Sequence, residues 1–409
     1  MANKGRVYRD SRGNTAKKNH TREPSRKNPP AQGSRNKGLM ASFMEKQPGL
    51  DFTFLTLVIV IICFGIIMVF SASAPKSLRT YGNSYNFVKK QLIFAVVGFV
   101  GMMILSRIDY RKLKKYVGLA MIVCIGLLIA VIIPGVGVEH NGATRWLKIG
   151  TEIQPSEFMK PVMALFVAAK IQEKQYDLRT FSGMLRMFVW VGIVGVLMFL
   201  EPHVSGAVVI CGIAGVVMLC GGAKWKNLFI CAGAALPCGL LYVLTDPVRR
   251  SRIFTAADPF ADARKGGYQV IQGLYAIASG GMFGRGLGQS IQKRTFLPEP
   301  YNDYIFAVIC EELGLIGAVL VIVLFAALII RGITIALHAP DLFGALAVVG
   351  IMAQISIQTL LNILVVTALI PNTGMTLPFF SYGGSALLVL MLEMGIVLNV
   401  SRHKVRSRL

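Results

Sequence analysis

The sequence of 409 residues is 54% hydrophobic and only 15% charged. Soluble domains carry roughly 25% charged residues, so this composition argues against a soluble protein and for a polytopic membrane protein. The formal net charge of +23 is concentrated at one end, since twelve of the 43 lysines and arginines lie in residues 1–48.

Residues 1–48 are rich in Asn, Ser, Gly and Pro and contain few apolar side chains to bury. We therefore predict a disordered basic tail on the cytoplasmic side, attracted to anionic membrane lipid. Binding to nucleic acid is the alternative, but aromatic side chains that stack on bases are nearly absent here, so we expect no nucleic-acid partner. The first apolar run begins too late for a signal peptide, so we expect it to remain as a membrane span.

Ten apolar runs follow the tail, and the first of them, 52–70, has no charged residue in 19 positions. A helix of about 20 such residues crosses a bilayer. We predict spans near residues 50–71, 91–106, 117–135, 156–171, 186–200, 205–221, 228–245, 304–330, 341–366 and 384–400.

Charge gives the orientation of these spans. An even number of spans places both termini on one side, and with the termini inside, the cytoplasmic segments carry 28 lysines and arginines against 14 outside. We therefore predict an all-α polytopic membrane protein of about ten helices with both termini cytoplasmic. Its membrane domain is 49–401, with a large extracytoplasmic loop at 246–303 between spans seven and eight and a basic tail at 402–409.

Cations at the predicted outer ends of the spans are candidates for binding an anion. Arg249, Arg252 and Lys293 lie in the long loop, and Arg145 precedes Trp146 in the 136–155 connection. Such side chains suit a pyrophosphate group, but they are equally typical of anchors that reach to lipid headgroups, and an interfacial Trp is common for anchoring alone. The residues by themselves leave both interpretations open.

Asp303 opens the eighth span. It could cap the N-terminus of that helix, or act as a general base whose pKa is raised by partial desolvation at the membrane boundary. Glu312 lies deeper in the same span, next to Glu311. Acids at that depth are costly, so we expect each of them to have a partner or to line a wet cavity.

A second polar group is predicted around the fourth and fifth spans. Glu157 and Lys160 are three residues apart and therefore share a helical face. Pairing among Glu157, Lys160 and Glu201 would make a structural ion network. Direct contact of these residues with a substrate is the alternative. His203 could carry a proton or be a satisfied structural residue.

Sequence motifs extend over nearly the whole membrane part. They are RW and QPSExxK within 145–160, a Pro-centred break at 201–206, RxxR at 249–252, a series ending in LPExxxDxIFAxxxEELG within 258–314, and PxxGxxLPFxSYGGS at 371–385. On these motifs the chain resembles the SEDS family (shape, elongation, division and sporulation), whose members include FtsW, RodA and SpoVE.

The resemblance implies a peptidoglycan glycosyltransferase in the bacterial cytoplasmic membrane, with its active site on the outer face. Asp303 would be the catalytic base that deprotonates the GlcNAc 4-hydroxyl of one lipid II for attack on the MurNAc anomeric carbon of the other chain. The substrate-binding residues implied are Arg145, Trp146, Arg249, Arg252, Lys293, Glu299 and Ser381. These cations or a divalent metal, Mg²⁺ or Mn²⁺, would offset the charge of the undecaprenyl pyrophosphate that leaves.

The implied partners are lipid II, the undecaprenyl-linked glycan, a class B penicillin-binding transpeptidase and other division or elongation proteins. The basic tail favours an FtsW or SpoVE type, while division, elongation and sporulation all remain open. A lipid II flippase and a non-catalytic division scaffold are the alternative functions. Two departures from the family pattern stand out: residues 201–206 read EPHVSG where many members have QPDLGT, and residues 371–374 read PNTG where many have PTKG.

Overall fold

The computed structural model describes residues 49–403 apart from 141–142, 150, 246 and 265–266. The predicted tail at 1–48 and most of the one at 402–409 therefore lie outside the described residues. Helices dominate the described part, and each of the ten predicted spans coincides with one of them. These ten helices are α1 (Phe52–Tyr81), α2 (Asn86–Leu105), α3 (Tyr110–Ile132), α4 (Pro155–Gln172), α5 (Phe181–Leu200), α6 (Val204–Cys220), α7 (Trp225–Thr245), α11 (Ile305–Leu337), α12 (Leu342–Val366) and α13 (Gly384–Arg402).

Among the described residues, seven of these helices are long and apolar enough to cross a membrane: α1, α2, α3, α5, α11, α12 and α13. Val204–Cys220 is a shorter apolar helix. The predicted helical, polytopic membrane fold is thus confirmed, while the count of ten spans stays a prediction.

Polar residues set the helix ends in the way their sequence positions suggest. The Asp51 side chain accepts a hydrogen bond from the backbone N–H of Phe54 at 3.0 Å, and Asp341 accepts one from Gly344 at 2.8 Å. Each side chain satisfies a backbone donor that the first turn of a helix leaves free. Asp51 also receives two hydrogen bonds from the Arg331 guanidinium, at 3.0 and 2.8 Å, which join the start of α1 to α11.

The 136–155 connection, predicted as a plain loop, contains a three-stranded antiparallel sheet in the order β1 (Gly137–His140), β2 (Ala143–Ile149) and β3 (Thr151–Ile153). Trp146 in β2 pairs with Val138, and Leu147 pairs with Ile153. Strands this short give only a few residues of alternation, which is too weak a pattern to separate from a loop.

The long connection at 246–303 also contains regular structure. Its helical segments are α8 (Pro247–Ala257), a 3₁₀ turn (Pro259–Asp262), α9 (Tyr268–Gly280) and α10 (Gln292–Thr295). The segment is therefore folded into short helices and is not an open loop.

Helix α11 contains a break at Gly314, where φ is 67° and ψ is −163°. The break frees backbone carbonyls of the preceding turn, and the glycine-rich segment after α9 uses them. Arg285 N–H donates to the Glu311 carbonyl and Gly286 N–H to the Glu312 carbonyl, both at 2.9 Å. Because backbone polar groups inside a membrane protein need partners, this exchange makes the break tolerable.

Gly314→Ala should lower the thermal stability of the protein. The backbone conformation at Gly314 is essentially restricted to glycine and costs any other residue roughly 1–3 kcal/mol, and a Cβ atom there would also collide with the Gly284 backbone nitrogen. Gly118→Ala in α3 is the matched control, because a Cβ atom there meets nothing within 4 Å. Thermal unfolding in detergent tests this, and equal midpoints for the two variants would contradict it.

Candidate functional site

Asp303 lies two residues before α11, and its side chain is partly exposed. Tyr304 rather than Asp303 occupies the N-cap position, and no side chain caps the helix there. The Asp303 carboxylate accepts no hydrogen bond from any described residue, whereas its backbone carbonyl accepts one from Asn362 Nδ2 at 2.9 Å. Since the backbone is held and the carboxylate is free, the helix-cap interpretation is not realised and the carboxylate is available for chemistry.

Charged residues from two connections, 136–155 and 246–303, act on this carboxylate. Burial and the neighbouring Glu299 carboxylate raise the pKa of Asp303 from 3.8 to about 6, and Arg145 and Arg252 oppose the rise. The structure therefore brings together residues from three separate sequence motifs: Arg145, Arg252, and the pair Glu299 and Asp303. Arg249 lies in α8, but its side chain is outside the described part of the structure.

The last outer connection closes against the same carboxylate. Gly374 has a φ of 66°, and a Cβ atom on it would lie only 3.3 Å from Asp303 Oδ2. Asn362, in α12, donates its second hydrogen bond to the Met375 carbonyl at 2.6 Å. The Asn362 amide thus holds both the Asp303 backbone and the segment at Gly374 and Met375 that lies opposite it.

Glu299 and Ser381 hold the turn that carries Asp303. Glu299 accepts hydrogen bonds from Lys76 Nζ at 2.5 Å and from Asn302 Nδ2 at 3.0 Å. The buried Ser381 hydroxyl donates to the Asn302 carbonyl at 2.7 Å and accepts from Leu377 N–H at 2.8 Å. Both side chains are engaged with the protein, so the geometry favours positioning of the turn over direct contact with a substrate.

Lys76 and Asn362 belong to this arrangement but are absent from the sequence-based candidates. Lys76 is a cation near the end of a long apolar helix, and Asn362 is a buried amide inside an apolar run. A polar residue within a span is a general signal of function or of polar packing, and applying that rule to amides as well as to charges would have found Asn362.

The predicted ion pair in α4 is present. Lys160 Nζ and Glu157 Oε1 are 2.6 Å apart, and both side chains are buried. The Arg145 guanidinium reaches across from β2 and donates to the carbonyl of Pro202. Arg145 thereby connects the sheet, with its Trp146, to the break between α5 and α6.

Glu201 does not join that ion pair, contrary to the network expected from the sequence. Its side chain is 1% exposed, and neither carboxylate oxygen has a hydrogen-bond partner among the described residues. Burial raises the pKa of Glu201 to about 8, against the influence of Arg145. Burial also lowers the pKa of the neighbouring His203 well below its ordinary value. Burial therefore favours the uncharged form of both groups at the break, which reduces the need for a salt bridge to Glu201.

Lys293 lies apart from the Asp303 carboxylate, in a buried ion pair with Glu312. Ser71 of α1 donates to both Glu312 oxygens at 2.8 and 2.7 Å and accepts from Lys293 Nζ at 2.8 Å. The Lys293 ammonium, expected from the sequence to bind the substrate, is thus already neutralised by the protein. The expectation that Glu312 needs a partner matches this geometry.

Glu311 fixes the start of α10, next to Lys293. Its carboxylate accepts from the Ser290 hydroxyl and from the backbone N–H groups of Ile291 at 2.8 Å and Gln292 at 3.4 Å. Two consecutive carboxylates of α11 therefore attach α10 to the middle of the helix bundle.

No group of three metal-ligating side chains occurs within the part of the chain that the structure describes. Magnesium is commonly held by one or two carboxylates together with substrate phosphates. Of Asp303 and Glu299, only Asp303 offers a carboxylate without a hydrogen-bond partner among the described residues, so the donor set around the turn fits a divalent cation only in that shared manner.

Comparison with known proteins gives a consistent result. Residues 51–406 match the family model of FtsW, RodA and SpoVE, described as a cell cycle protein. The chain is 42% identical over 363 residues to stage V sporulation protein E of Bacillus subtilis, covering 88% of this chain and 98% of that protein. It is 37% identical over 369 residues to the Geobacter sulfurreducens protein named "Probable peptidoglycan glycosyltransferase FtsW", covering 90% of this chain and 98% of that protein.

Solved structures share the fold. A chain from a peptidoglycan synthase complex superposes with a TM-score of 0.73 at 27% identity, covering 88% of this chain and 99% of that one. The rod shape determining protein RodA of Thermus thermophilus gives 0.65 at 25% identity, with the same coverage of 88% and 99%.

Lys293→Met should destabilise the protein strongly, because it leaves the Glu312 carboxylate buried without its cation. Breaking a buried ion pair from one side costs roughly 3–5 kcal/mol, whereas replacing both partners by apolar residues is often neutral. We therefore expect Lys293→Met/Glu312→Met to unfold at a higher temperature than Lys293→Met. The neighbouring exposed Arg294→Met is the control and should change little; a double variant less stable than the single one would refute the buried pair.

Proposed function

The chain belongs to the FtsW, RodA and SpoVE family of cell cycle proteins, and from that premise we propose that it is a peptidoglycan glycosyltransferase that polymerises lipid II. The observation that carries the proposal is the Asp303 carboxylate, which is partly exposed, accepts no hydrogen bond from a described residue and is acted on electrostatically by Arg145 and Arg252. It is the geometry that a general base needs, since a base must reach the proton it removes without first losing a protein partner.

In the proposed reaction, Asp303 accepts the proton of the GlcNAc 4-hydroxyl while that oxygen forms a bond to the MurNAc anomeric carbon of the other chain. The bond from that carbon to the pyrophosphate oxygen breaks, and undecaprenyl pyrophosphate leaves. A single displacement converts the α-linked donor into a β-linked glycan, which requires a base but no enzymic nucleophile. One free carboxylate is therefore sufficient.

Arg145 and Arg252 are the described cations placed to offset the charge that develops on the leaving group. Both act on the Asp303 carboxylate, so both lie within electrostatic reach of a substrate bound there. Fixed cations at the point where charge develops stabilise the transition state more than mobile ones. Asp303 would be the residue at this site able to hold a divalent cation, which would supply further positive charge for the leaving group.

Location and partners follow from the same family membership and from charge. The positive-inside bias supports an orientation with the Asp303 side of the protein outside the cytoplasmic membrane. The fold likeness to a chain of a peptidoglycan synthase complex supports a class B penicillin-binding transpeptidase as partner. The similarity to a sporulation protein and to FtsW supports a role in division or sporulation.

The purified full-length protein, incubated with lipid II, should produce glycan strands that a gel or mass spectrometry detects. Asp303→Asn keeps the size of the side chain and removes its basicity, so we expect polymer to fall by about 100-fold or more. Glu173→Gln, which removes a carboxylate at the end of α4 with side-chain exposure of 41%, is the matched control and should retain full activity.

Normal polymer from Asp303→Asn would refute the assignment of the base. Movement of lipid II across proteoliposome membranes by the parent protein, with no polymer formed, would instead support the flippase alternative.

Polymerisation should increase as the pH rises through about 6, because Asp303 must lose its proton before it can act as a base. Glu299→Gln removes the neighbouring charge that raises this pKa and should move the midpoint to lower pH. Arg252→Gln removes a cation that lowers it and should move the midpoint to higher pH. The rate against pH for the three proteins tests this, with exposed Lys148→Gln as control. Shifts of Glu299→Gln and Arg252→Gln in the same direction would contradict it.

A further inference from the structure

A separate cavity of about 260 Å³ lies between the end of α1 and the segment that leads from α10 to Asp303. Its charged lining consists of Lys76, Arg79, Lys293, Arg294 and Glu299. The rest of the lining is Thr295, Leu297, Pro298 and Pro300. Four cations and a single carboxylate therefore surround one small space.

Two of the four cations are already neutralised. Lys76 forms an ion pair with Glu299 at 2.5 Å, and Lys293 forms one with the buried Glu312. The guanidinium groups of Arg79 and Arg294 make no hydrogen bond or ion pair with any described residue. The cavity thus has a surplus of two positive charges on side chains whose donors are all free.

The size and the chemistry of this space fit a phosphate group. Guanidinium groups present paired N–H donors that match the oxygens of a phosphate. Pockets for drug-sized ligands measure roughly 300–1,000 Å³, so a smaller cavity suits a compact headgroup rather than a disaccharide. Arg79 also lies in the last turn of α1, where a cation is favourable for the helix itself. That interaction does not account for Arg294, which lies on a different element.

The position of the cavity along α1 suggests where the phosphate comes from. Helix α1 is one of the helices able to cross a membrane, and its 30 residues end at Tyr81, two residues beyond Arg79. The end of a membrane-spanning helix lies at the level of the polar headgroups. We propose that Arg79 and Arg294 form a binding site for the phosphate of a membrane lipid, separate from the Asp303 site.

Binding of lipid to the purified full-length protein in detergent tests the site, with native mass spectrometry as the measurement. Added phosphatidylglycerol should be retained in preference to phosphatidylcholine, which has the same phosphate but no net charge. Arg79→Gln/Arg294→Gln should bind phosphatidylglycerol about tenfold more weakly, since hydrogen bonds to charged groups are among the strong ones. The control is Lys148→Gln/Arg264→Gln, which removes two charges from exposed positions outside the cavity and should bind as the parent does.

Competitors distinguish the possible sources of the phosphate. Displacement by undecaprenyl pyrophosphate more readily than by phosphatidylglycerol would assign the site to the diphosphate of a polyprenyl lipid. Displacement by phosphatidylglycerol alone would assign it to a phospholipid headgroup. Either result would support a phosphate-binding site at Arg79 and Arg294.

Three results would overturn the proposal: equal retention of the two phospholipids, unchanged binding by Arg79→Gln/Arg294→Gln, or an equal loss in the control variant. All the variants should remain monodisperse, because every substituted side chain is exposed. Asp303→Asn should bind phosphatidylglycerol as the parent does, so failure of the polymerase proposal and failure of this one are separate outcomes.

Discussion

The structure around Asp303 depends on two consecutive carboxylates buried in α11, Glu311 and Glu312, both of which are 0% exposed. An acid at this depth is tolerated only when its charge is met, and each one meets it on a different segment. Glu311 holds the start of α10, whereas Glu312 holds Lys293 and the middle of α1. The turn that carries Asp303 begins directly after α10, so its position follows from the hydrogen bonds of Glu311 and the ion pair of Glu312.

The cations of the described chain divide into those that the fold uses and those that it leaves available. Lys160 and Lys293 are buried in ion pairs, and Lys76 is paired at the surface. Lys76 and Lys293 each join two separate elements, whereas Lys160 pairs within α4. Arginines occur in both groups: Arg331 joins α1 to α11, whereas Arg252 acts on the Asp303 carboxylate. The lysines and arginines that make the sequence positive therefore have different roles, and the sign of the net charge alone would not identify the side chains that bind an anion.

Hydropathy was sufficient to predict the helical membrane fold, because a helix that crosses lipid must show a long apolar run. Hydropathy could not predict which charges pair. Lys293 and Arg294 are adjacent in sequence, but they lie on different sides of α10, so that Lys293 is buried in an ion pair and the Arg294 guanidinium is exposed. The network expected around Glu201 is absent among the described residues, because burial raises the pKa of this group and so favours its uncharged form over an ion pair. The motifs did single out Asp303, Glu299 and Ser381, and the structure brings them to one turn. Asn362 could have been noticed as an amide within an apolar run, but its contacts and those of Lys76 are visible only in three dimensions.

Main chain that other residues hold in place makes up part of the surroundings of Asp303. The Asn362 amide holds the Asp303 carbonyl, and the Ser381 hydroxyl holds the carbonyl of Asn302. Gly374 lies so near the Asp303 carboxylate that a Cβ atom on it would be 3.3 Å from Oδ2. A compound that bound this turn through its backbone would depend little on replaceable side chains. Substitution at Gly374 would place a Cβ atom against the carboxylate, so the obvious route to resistance would also damage the site. For an antibacterial directed at this turn, escape mutations would therefore be expected to carry a fitness cost.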